Sequence, residues 1–186
     1  MTILMSAYTA FFQRLERADW LLATLARFVF AAVLAVYFWN SGLTKIGDGI
    51  FGIFTPSTGA YVQIFPRVFE AVGYDSSQLS FFHWAVVVAG TFAEFVLPAL
   101  IVLGLMTRLA ALGMIGFVFM QSLTDIYGHG AMDHPETIGA WFDRFENSAI
   151  MDQRTLWVFV LMVLVIKGAG PLSLDRILSR RIKSGL

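Results

Sequence analysis

Long apolar stretches dominate the pattern of hydrophobic and polar positions along the chain. A helix needs roughly 20 mostly apolar residues to cross a bilayer. Stretches of about this length occupy residues 20–39, 81–105, 107–126 and 149–166. The first begins at Trp20 and ends at Trp39, a spacing that suits one tryptophan anchor at each membrane interface. The pattern predicts an all-α integral membrane protein that folds as a four-helix bundle.

Amphipathic segments flank the predicted spans. Apolar residues recur at helical spacing in residues 3–15 and again in residues 174–182, where basic residues occupy the other side. Helices with such a pattern lie along the headgroup layer, with their apolar face in the lipid. We therefore expect a short interfacial helix at each end of a single membrane domain, residues 1–186, with two long loops between its spans.

Composition supports a membrane location and limits the chemistry. Hydrophobic residues make up 58% of the 186 residues, charged residues make up 14%, and the mean hydropathy is +0.71. The formal net charge is zero, so no overall positive field favours nucleic acid as a partner. The chain has no cysteine, which excludes disulfides, thiolate metal sites and cysteine nucleophiles. Any redox chemistry therefore requires a bound cofactor, a quinone or a partner protein.

The distribution of basic residues predicts the orientation. Lysine and arginine favour the cytoplasmic side of a membrane. The basic residues after the fourth predicted span are Lys167, Arg176, Arg180, Arg181 and Lys183. The two long loops, residues 40–80 and 124–154, are acidic on balance. Because an even number of spans puts both ends on one side, we expect both termini in the cytoplasm, both loops facing outward, and a bacterial inner membrane as the location.

Ionisable residues inside the spans are candidates for a functional site, since such residues are costly in a membrane and usually have partners. Arg27 lies about 10 Å along the helix from Trp20, and Glu94 lies about 15 Å from the end of the second predicted span. Because these two spans are antiparallel, similar depths predict an Arg27–Glu94 pair. The pair either fixes helix register or binds a ligand. Pro98 favours the second alternative, because a proline leaves the carbonyl of Glu94 without its helical partner.

Lys45 extends this polar pattern. It follows Arg27 by about five helical turns and would share its face if the helix continues. Ser41 lies between them. The first span therefore carries a polar stripe from Arg27 toward Lys45.

A loop rich in histidine and carboxylate follows the third predicted span. It contains His129, Asp133 and His134 among glycines and other acidic residues. Imidazole and carboxylate side chains can bind zinc, iron, manganese or copper. The spacing matches no strong metal motif, and an ordinary solvated acidic loop is the other interpretation.

Several motifs together resemble those of the DoxX family. They are Arg27, FWNSGLTKI at residues 38–46, GTFAEFVLPALIVLGLMTRLAAL at residues 90–112, and GAGPLSLDRIL at residues 168–178. The resemblance implies a four-helix membrane bundle whose motif positions include Arg27, Lys45, Glu94 and Arg108. It also implies an association with quinone-linked sulfur oxidation, as the small subunit of a thiosulfate:quinone oxidoreductase, or with membrane oxidoreductase complexes that handle oxidative stress. The long 124–154 segment departs from typical members, so the resemblance implies no role for it.

Three functions fit these observations. The first is a subunit of a redox-linked membrane complex that binds a quinone near Arg27 and Glu94 and passes electrons only with a partner. The second is a non-catalytic accessory or scaffold subunit of a respiratory or other membrane complex. The third is a small carrier or proton-conducting bundle in which Glu94 is the relay. We favour the first function, with the lipid bilayer and other membrane-complex subunits as partners, while the sequence assigns no reaction to the chain alone.

Overall fold

The computed structural model describes residues 2–184, and the chain over that range is helical, with no strand. Four of its helices are long and apolar enough to cross a membrane. We name them span 1 (Asp19–Leu43), span 2 (Phe81–Leu103), span 3 (Thr107–Gly128) and span 4 (Ala149–Lys167). This arrangement confirms the predicted all-α four-helix membrane bundle.

Span 1 continues about one turn beyond its predicted end at Trp39. The indole Nε1 of Trp39 donates a hydrogen bond to the Phe95 carbonyl of span 2 at 3.2 Å, and the side chain is only partly exposed. Trp39 therefore packs between helices, whereas the sequence pattern predicted an interfacial anchor. The helix includes a π-helical stretch at Phe30–Ala35 and ends at Leu43.

The main core lies between all four spans. Phe30 and Phe38 of span 1 are fully buried, together with Ile101, Met114 and Leu161 from the other three spans. Aromatic rings meet edge to face at its centre, where Phe38 contacts the rings of Phe117 and Trp157 at centroid distances of 5.8 and 6.1 Å. Since lipid tails are as apolar as these side chains, close packing holds such a core together.

The first long loop folds back against span 2. It contains the short helices Thr58–Ile64 and Pro66–Ala71. Ser57 caps the first of them, its hydroxyl accepting a hydrogen bond from the Ala60 amide at 3.2 Å. Tyr61 and Phe69 from these helices form a second apolar cluster with Val87 of span 2. The loop therefore forms part of the bundle's wall at this end.

Contacts at the two ends of the bundle show which loops and which helix ends lie together. Nε2 of His129, just after span 3, donates to the Gln63 carbonyl of the first loop at 3.0 Å, so the two long loops meet at one end. At the opposite end, Lys167 pairs with Asp19 at 2.7 Å, and spans 2 and 3 are joined by a tight turn. The turn begins at Gly104, whose φ of +68° is a backbone conformation that glycine adopts without strain.

Both flanking segments are helical, at Thr2–Glu16 and Leu174–Ser184, as predicted. Apolar side chains of the first helix project away from the protein; Ile3 is 84% exposed and Leu4 is 81% exposed. An unburied apolar face of this kind suits a headgroup layer, and the interfacial location of the two helices stays a prediction.

Candidate functional site

Glu94 is buried in span 2, with 3% of its surface exposed. Pro98 follows one turn later in the same helix and is also buried. Span 1 approaches closely here because Gly42 has no side chain: a Cβ at that position would lie 2.7 Å from the Phe95 ring. The glycine of the SGLTK sequence therefore allows its polar neighbours to reach Glu94.

Lys45 and Ser41 bind Glu94 directly. The Lys45 ammonium lies 3.0 Å from Glu94 Oε1, and the Ser41 hydroxyl donates to the same oxygen at 2.8 Å. The side chains of Lys45 and Glu94 are 5% and 4% exposed, so the ion pair is buried on both sides. Removing one partner of such a pair leaves an uncompensated charge, at a cost of about 3–5 kcal/mol.

The hydrogen bonds among Lys45, Ser41 and Glu94 do not include the second carboxylate oxygen of Glu94. The Lys45 ammonium also donates to the Ser41 carbonyl at 3.1 Å and to the Ser41 hydroxyl oxygen at 2.8 Å. Its three hydrogens therefore all have acceptors. Glu94 Oε2 is buried and has no hydrogen-bond partner among the described residues.

A cavity of about 550 Å³ lies beside Glu94, between spans 1, 2 and 3 and the Thr58–Ile64 helix. Ser41, Lys45 and Glu94 are among its lining residues. Asp125 and His129, from the end at which the long loops meet, also line it. The unpartnered oxygen thus belongs to a residue on the wall of a space large enough for a small headgroup.

Gln121 of span 3 adds a second polar group to this cavity. Its amide Nε2 donates to the Tyr37 hydroxyl of span 1 at 2.9 Å, and both residues are lining residues. Its Oε1 is buried and has no hydrogen-bond partner in residues 2–184. Two residues of the cavity lining, Glu94 and Gln121, therefore each have a buried oxygen without a partner among the described residues.

A second ion pair, in which the arginine is buried and the aspartate is partly exposed, joins spans 3 and 4. The Arg154 guanidinium binds the Asp125 carboxylate and donates to the Ser122 hydroxyl at 3.0 Å. Arg154 is 7% exposed, although the sequence pattern placed both charged residues in an outward loop. Both residues lie in π-helical stretches, Thr124–Gly128 and Ala149–Arg154, at the ends of these spans. Span 3 continues two residues beyond its predicted end, whereas span 4 begins at Ala149 as predicted.

Arg27 does not pair with Glu94, and this prediction was wrong. Its guanidinium donates to the carbonyl of Ala169 at 2.8 Å and to the carbonyl of Leu172. A side chain on Gly104, at the end of span 2, would collide with the guanidinium. Arg27 is therefore level with the end of span 2 and holds the segment that follows span 4.

The error lies in the assumed register of spans 1 and 2. The prediction compared the depth of Arg27 from Trp20 with the depth of Glu94 from the end of span 2, and it assumed that these two reference points lie in the same plane of the membrane. In the structure Arg27, not Trp20, lies beside Gly104, whereas Ser41 lies beside Glu94. From Glu94 to Gly104 the helix rises about 15 Å, which an arginine side chain does not cover.

Arg108 also lies at this opposite end, away from the cavity. Its Nη2 donates to the Ile166 carbonyl at the end of span 4, at 3.2 Å. Nearby, the Asp175 carboxylate accepts hydrogen bonds from the amides of Met106 and Thr107, at 2.7 and 3.0 Å. Asp175 therefore caps the N-terminus of span 3, where a carboxylate is favourable. Of the four motif positions, Lys45 and Glu94 form the cavity site, and Arg27 and Arg108 join helix ends.

The structure does not assemble the suggested metal ligands. His129 binds the Gln63 carbonyl. Nδ1 of His134 lies 3.4 Å from Oε1 of Glu136, and the side chains of His134 and Glu136 are largely exposed. Within residues 2–184 no group of three or more histidine, cysteine, aspartate or glutamate side chains could hold a metal ion. The geometry therefore gives no support to metal binding by His129, Asp133 and His134.

The sequence pattern missed Tyr37, Gln121 and the Asp125–Arg154 pair. Gln121 could have been noticed as an uncharged polar residue near the end of the third predicted span. There it only lowered the hydropathy of the stretch. Arg154 carried no such signal, because arginine directly before an apolar run is ordinary at a membrane boundary. Its burial depends on the π-helical turn at Ala149–Arg154, which local sequence did not predict.

Comparison with known proteins identifies the family. No curated protein and no solved structure matches the chain. The protein-family model for DoxX matches residues 22–124. The match includes Lys45, Glu94, most of span 1 and all of span 2, and it ends before span 4 and the residues that bind Arg27. Since it covers more than half of the sequence, the chain belongs to the DoxX family.

Proposed function

We propose that this protein is the membrane subunit of a redox-linked complex, and that its cavity receives the headgroup of a quinone-type, lipid-soluble carrier. One observation carries the proposal: a buried carboxylate with an unpartnered oxygen lines a cavity inside an otherwise apolar bundle. Unpaired polar atoms are costly in such surroundings. A ligand with a polar head and an apolar body would supply the missing partner.

The remaining walls suit an apolar body. Leu97 and Phe117 line the cavity beside the polar groups. Gly116 and Met120 line it as well and are exposed, so the cavity is open along span 3. Exposed positions in the middle of a span face lipid. A carrier dissolved in the bilayer could therefore enter from the side, with its tail remaining between the lipid chains.

When bound, a quinone-type carrier would supply two-electron redox chemistry that this cysteine-free chain lacks. Lys45 and Ser41 hold Glu94 Oε1 in place, which leaves Oε2 as the atom that binds the headgroup or takes up a proton. Asp125 and His129 line the same cavity toward the loop end, which makes them the candidates for a proton path to water. Electrons would be exchanged with a partner subunit.

The outer loops offer a place for that partner. Trp141, Phe142 and Phe145 follow one another closely in the second long loop, and Phe142 has no contact that covers it. Exposed aromatic side chains of this kind are enriched at protein interfaces. The same surface supports the second candidate function, an accessory or scaffold subunit, which differs in requiring no ligand in the cavity.

We also propose that both termini face the cytoplasm of a bacterial inner membrane. The Lys167–Asp19 contact places the start of span 1 and the end of span 4 at one end. The basic tail follows span 4 at that end, and lysine and arginine favour the cytoplasmic side.

Thermal unfolding of the purified protein tests ligand binding. A short-tailed quinone, offered separately in its oxidised and reduced forms, should stabilise the wild type. At about 100 times its Kd the free energy of unfolding rises by roughly 2.7 kcal/mol. Gly116→Leu should abolish the effect by obstructing the opening of the cavity along span 3, whereas Gly116→Ala is the matched control, since a Cβ there meets no atom within 4 Å.

The outcomes separate the candidates. Absence of stabilisation by both redox forms would refute the carrier proposal. Persistence of the effect in Gly116→Leu would show that the ligand binds elsewhere. Absence of a ligand effect, together with a stoichiometric partner that is lost on replacing Phe142 and Phe145 by serine, would support the scaffold function.

A further inference from the structure

We infer that the cavity selects the reduced, hydroxyl-bearing form of its carrier over the oxidised form, and that Glu94 is the residue that discriminates. This inference rests on the proposed function and goes beyond it. It follows from counting the donors and acceptors that Glu94 and its two partners, Lys45 and Ser41, leave unused.

The donors beside Glu94 are already used. Lysine has three N–H donors, and those of Lys45 bind the Ser41 carbonyl, the Ser41 hydroxyl oxygen and Glu94 Oε1. The single hydroxyl hydrogen of Ser41 binds Glu94 Oε1 at 2.8 Å. Neither residue therefore has a hydrogen left for a carbonyl oxygen of an incoming ligand.

The atom that remains at Glu94 is an acceptor. Glu94 Oε2 is buried and without a partner among the described residues, and Glu94 lines the cavity. The oxidised form of a quinone-type headgroup presents carbonyl oxygens, which accept but do not donate. Beside Oε2 such an oxygen would face another acceptor. In the reduced form each carbonyl is a hydroxyl group, which donates, and one of them can bind Oε2.

The expected preference is large enough to measure. A hydrogen bond to a charged group contributes enough to change a binding constant by about tenfold or more. A tenfold preference for the reduced form raises the midpoint potential of a bound two-electron couple by about 30 mV. Binding and redox titration therefore give two independent readouts.

The experiment compares matched ligands on the purified wild-type protein in mild detergent, under anaerobic conditions. The ligands are a short-tailed quinone, its quinol, and the dimethyl ether of that quinol, which keeps the ring and both oxygens, adds two methyl groups and loses both hydroxyl donors. Calorimetry should give a Kd for the quinol about tenfold or more lower than for the other two. This comparison needs no variant, so it does not depend on the folding of a mutant.

Glu94→Gln tests the assignment to one residue. If the glutamine oxygen keeps the Lys45 and Ser41 bonds, its NH2 group takes the place of Oε2 and offers a donor. The preference should then disappear or invert in favour of the quinone. Asp19→Asn is the matched control, because it also replaces a paired carboxylate by an amide but lies at the opposite end of the bundle. It should keep the wild-type preference.

The possible results separately test the selectivity, the role of Glu94 and the proposed function. Equal binding of quinone and quinol, or tighter binding of the quinone or the ether, would overturn the selectivity and leave the proposed function standing. An unchanged preference in a folded Glu94→Gln variant would overturn the role of Glu94. Failure of all three ligands to bind would overturn the proposed function itself.

Discussion

Removing the charge of Lys45 should lower the free energy of unfolding by far more than the loss of one ordinary side-chain contact would. In Lys45→Met the Glu94 carboxylate keeps only the Ser41 hydroxyl as a partner and remains buried. In Glu94→Gln the ammonium keeps the Ser41 carbonyl and hydroxyl as acceptors but loses the opposite charge. Each single change leaves an uncompensated charge, so each should lower the free energy of unfolding by about 3–5 kcal/mol.

The double variant carries neither charge and should recover part of this loss. We expect the two effects to couple by about 2–3 kcal/mol, at the upper end of the range for residues in contact. The free energy of unfolding can be measured by titrating SDS into mild-detergent micelles and following helix content. Arg27→Met combined with Glu94→Gln is the matched control. Because those residues share no partner, their effects should add within about 0.5 kcal/mol. Additive losses for Lys45 and Glu94, or strong coupling of Arg27 to Glu94, would refute the assigned pairing.

Further predictions concern the two ends of the bundle. Asp175→Ala removes the cap of span 3 and should cost about 0.5–2 kcal/mol in the same SDS titration, and no loss would show that the cap is dispensable. Arg154→Met should destabilise the protein by about 1.5–3 kcal/mol and be partly rescued by Asp125→Asn, since the two side chains are paired; a lack of rescue would argue against that pairing. A cysteine at Ser76, exposed in the first loop, should react with an impermeant reagent in intact cells, while one at Ser179 should react only after lysis; the opposite labelling would reverse the orientation.

The four spans were predictable because the membrane imposes a simple rule on sequence. A spanning helix must be apolar over a fixed length, and no soluble alternative competes for such stretches. The ends of the spans were less predictable. Trp39 has the residue type and the position expected of an interfacial anchor, but its indole binds the Phe95 carbonyl inside the bundle. Only the contact between helices distinguishes these two roles.

The candidate site was predicted in its residues and not in its pairing. Glu94 and Lys45 stood out because charges within spans are costly and need partners. Their pairing depends on helix register, which is set by the close approach of Gly42 to Phe95 and not by distance from the span ends. Arg27 was assigned the wrong partner because its true acceptors are backbone carbonyls. Every residue has a carbonyl, so no sequence motif marks the ones that are free.

The contacts of Arg27 have a consequence for assembly during synthesis. The arginine belongs to the first of the four spans, but the carbonyls that it binds, at Ala169 and Leu172, follow it by 142 and 145 residues. Until these residues leave the ribosome, the guanidinium has no acceptor from them. The contact that joins span 1 to the segment after span 4 can therefore form only once span 4 has been synthesised. A ribosome stalled before Ala169 should leave span 1 without this contact.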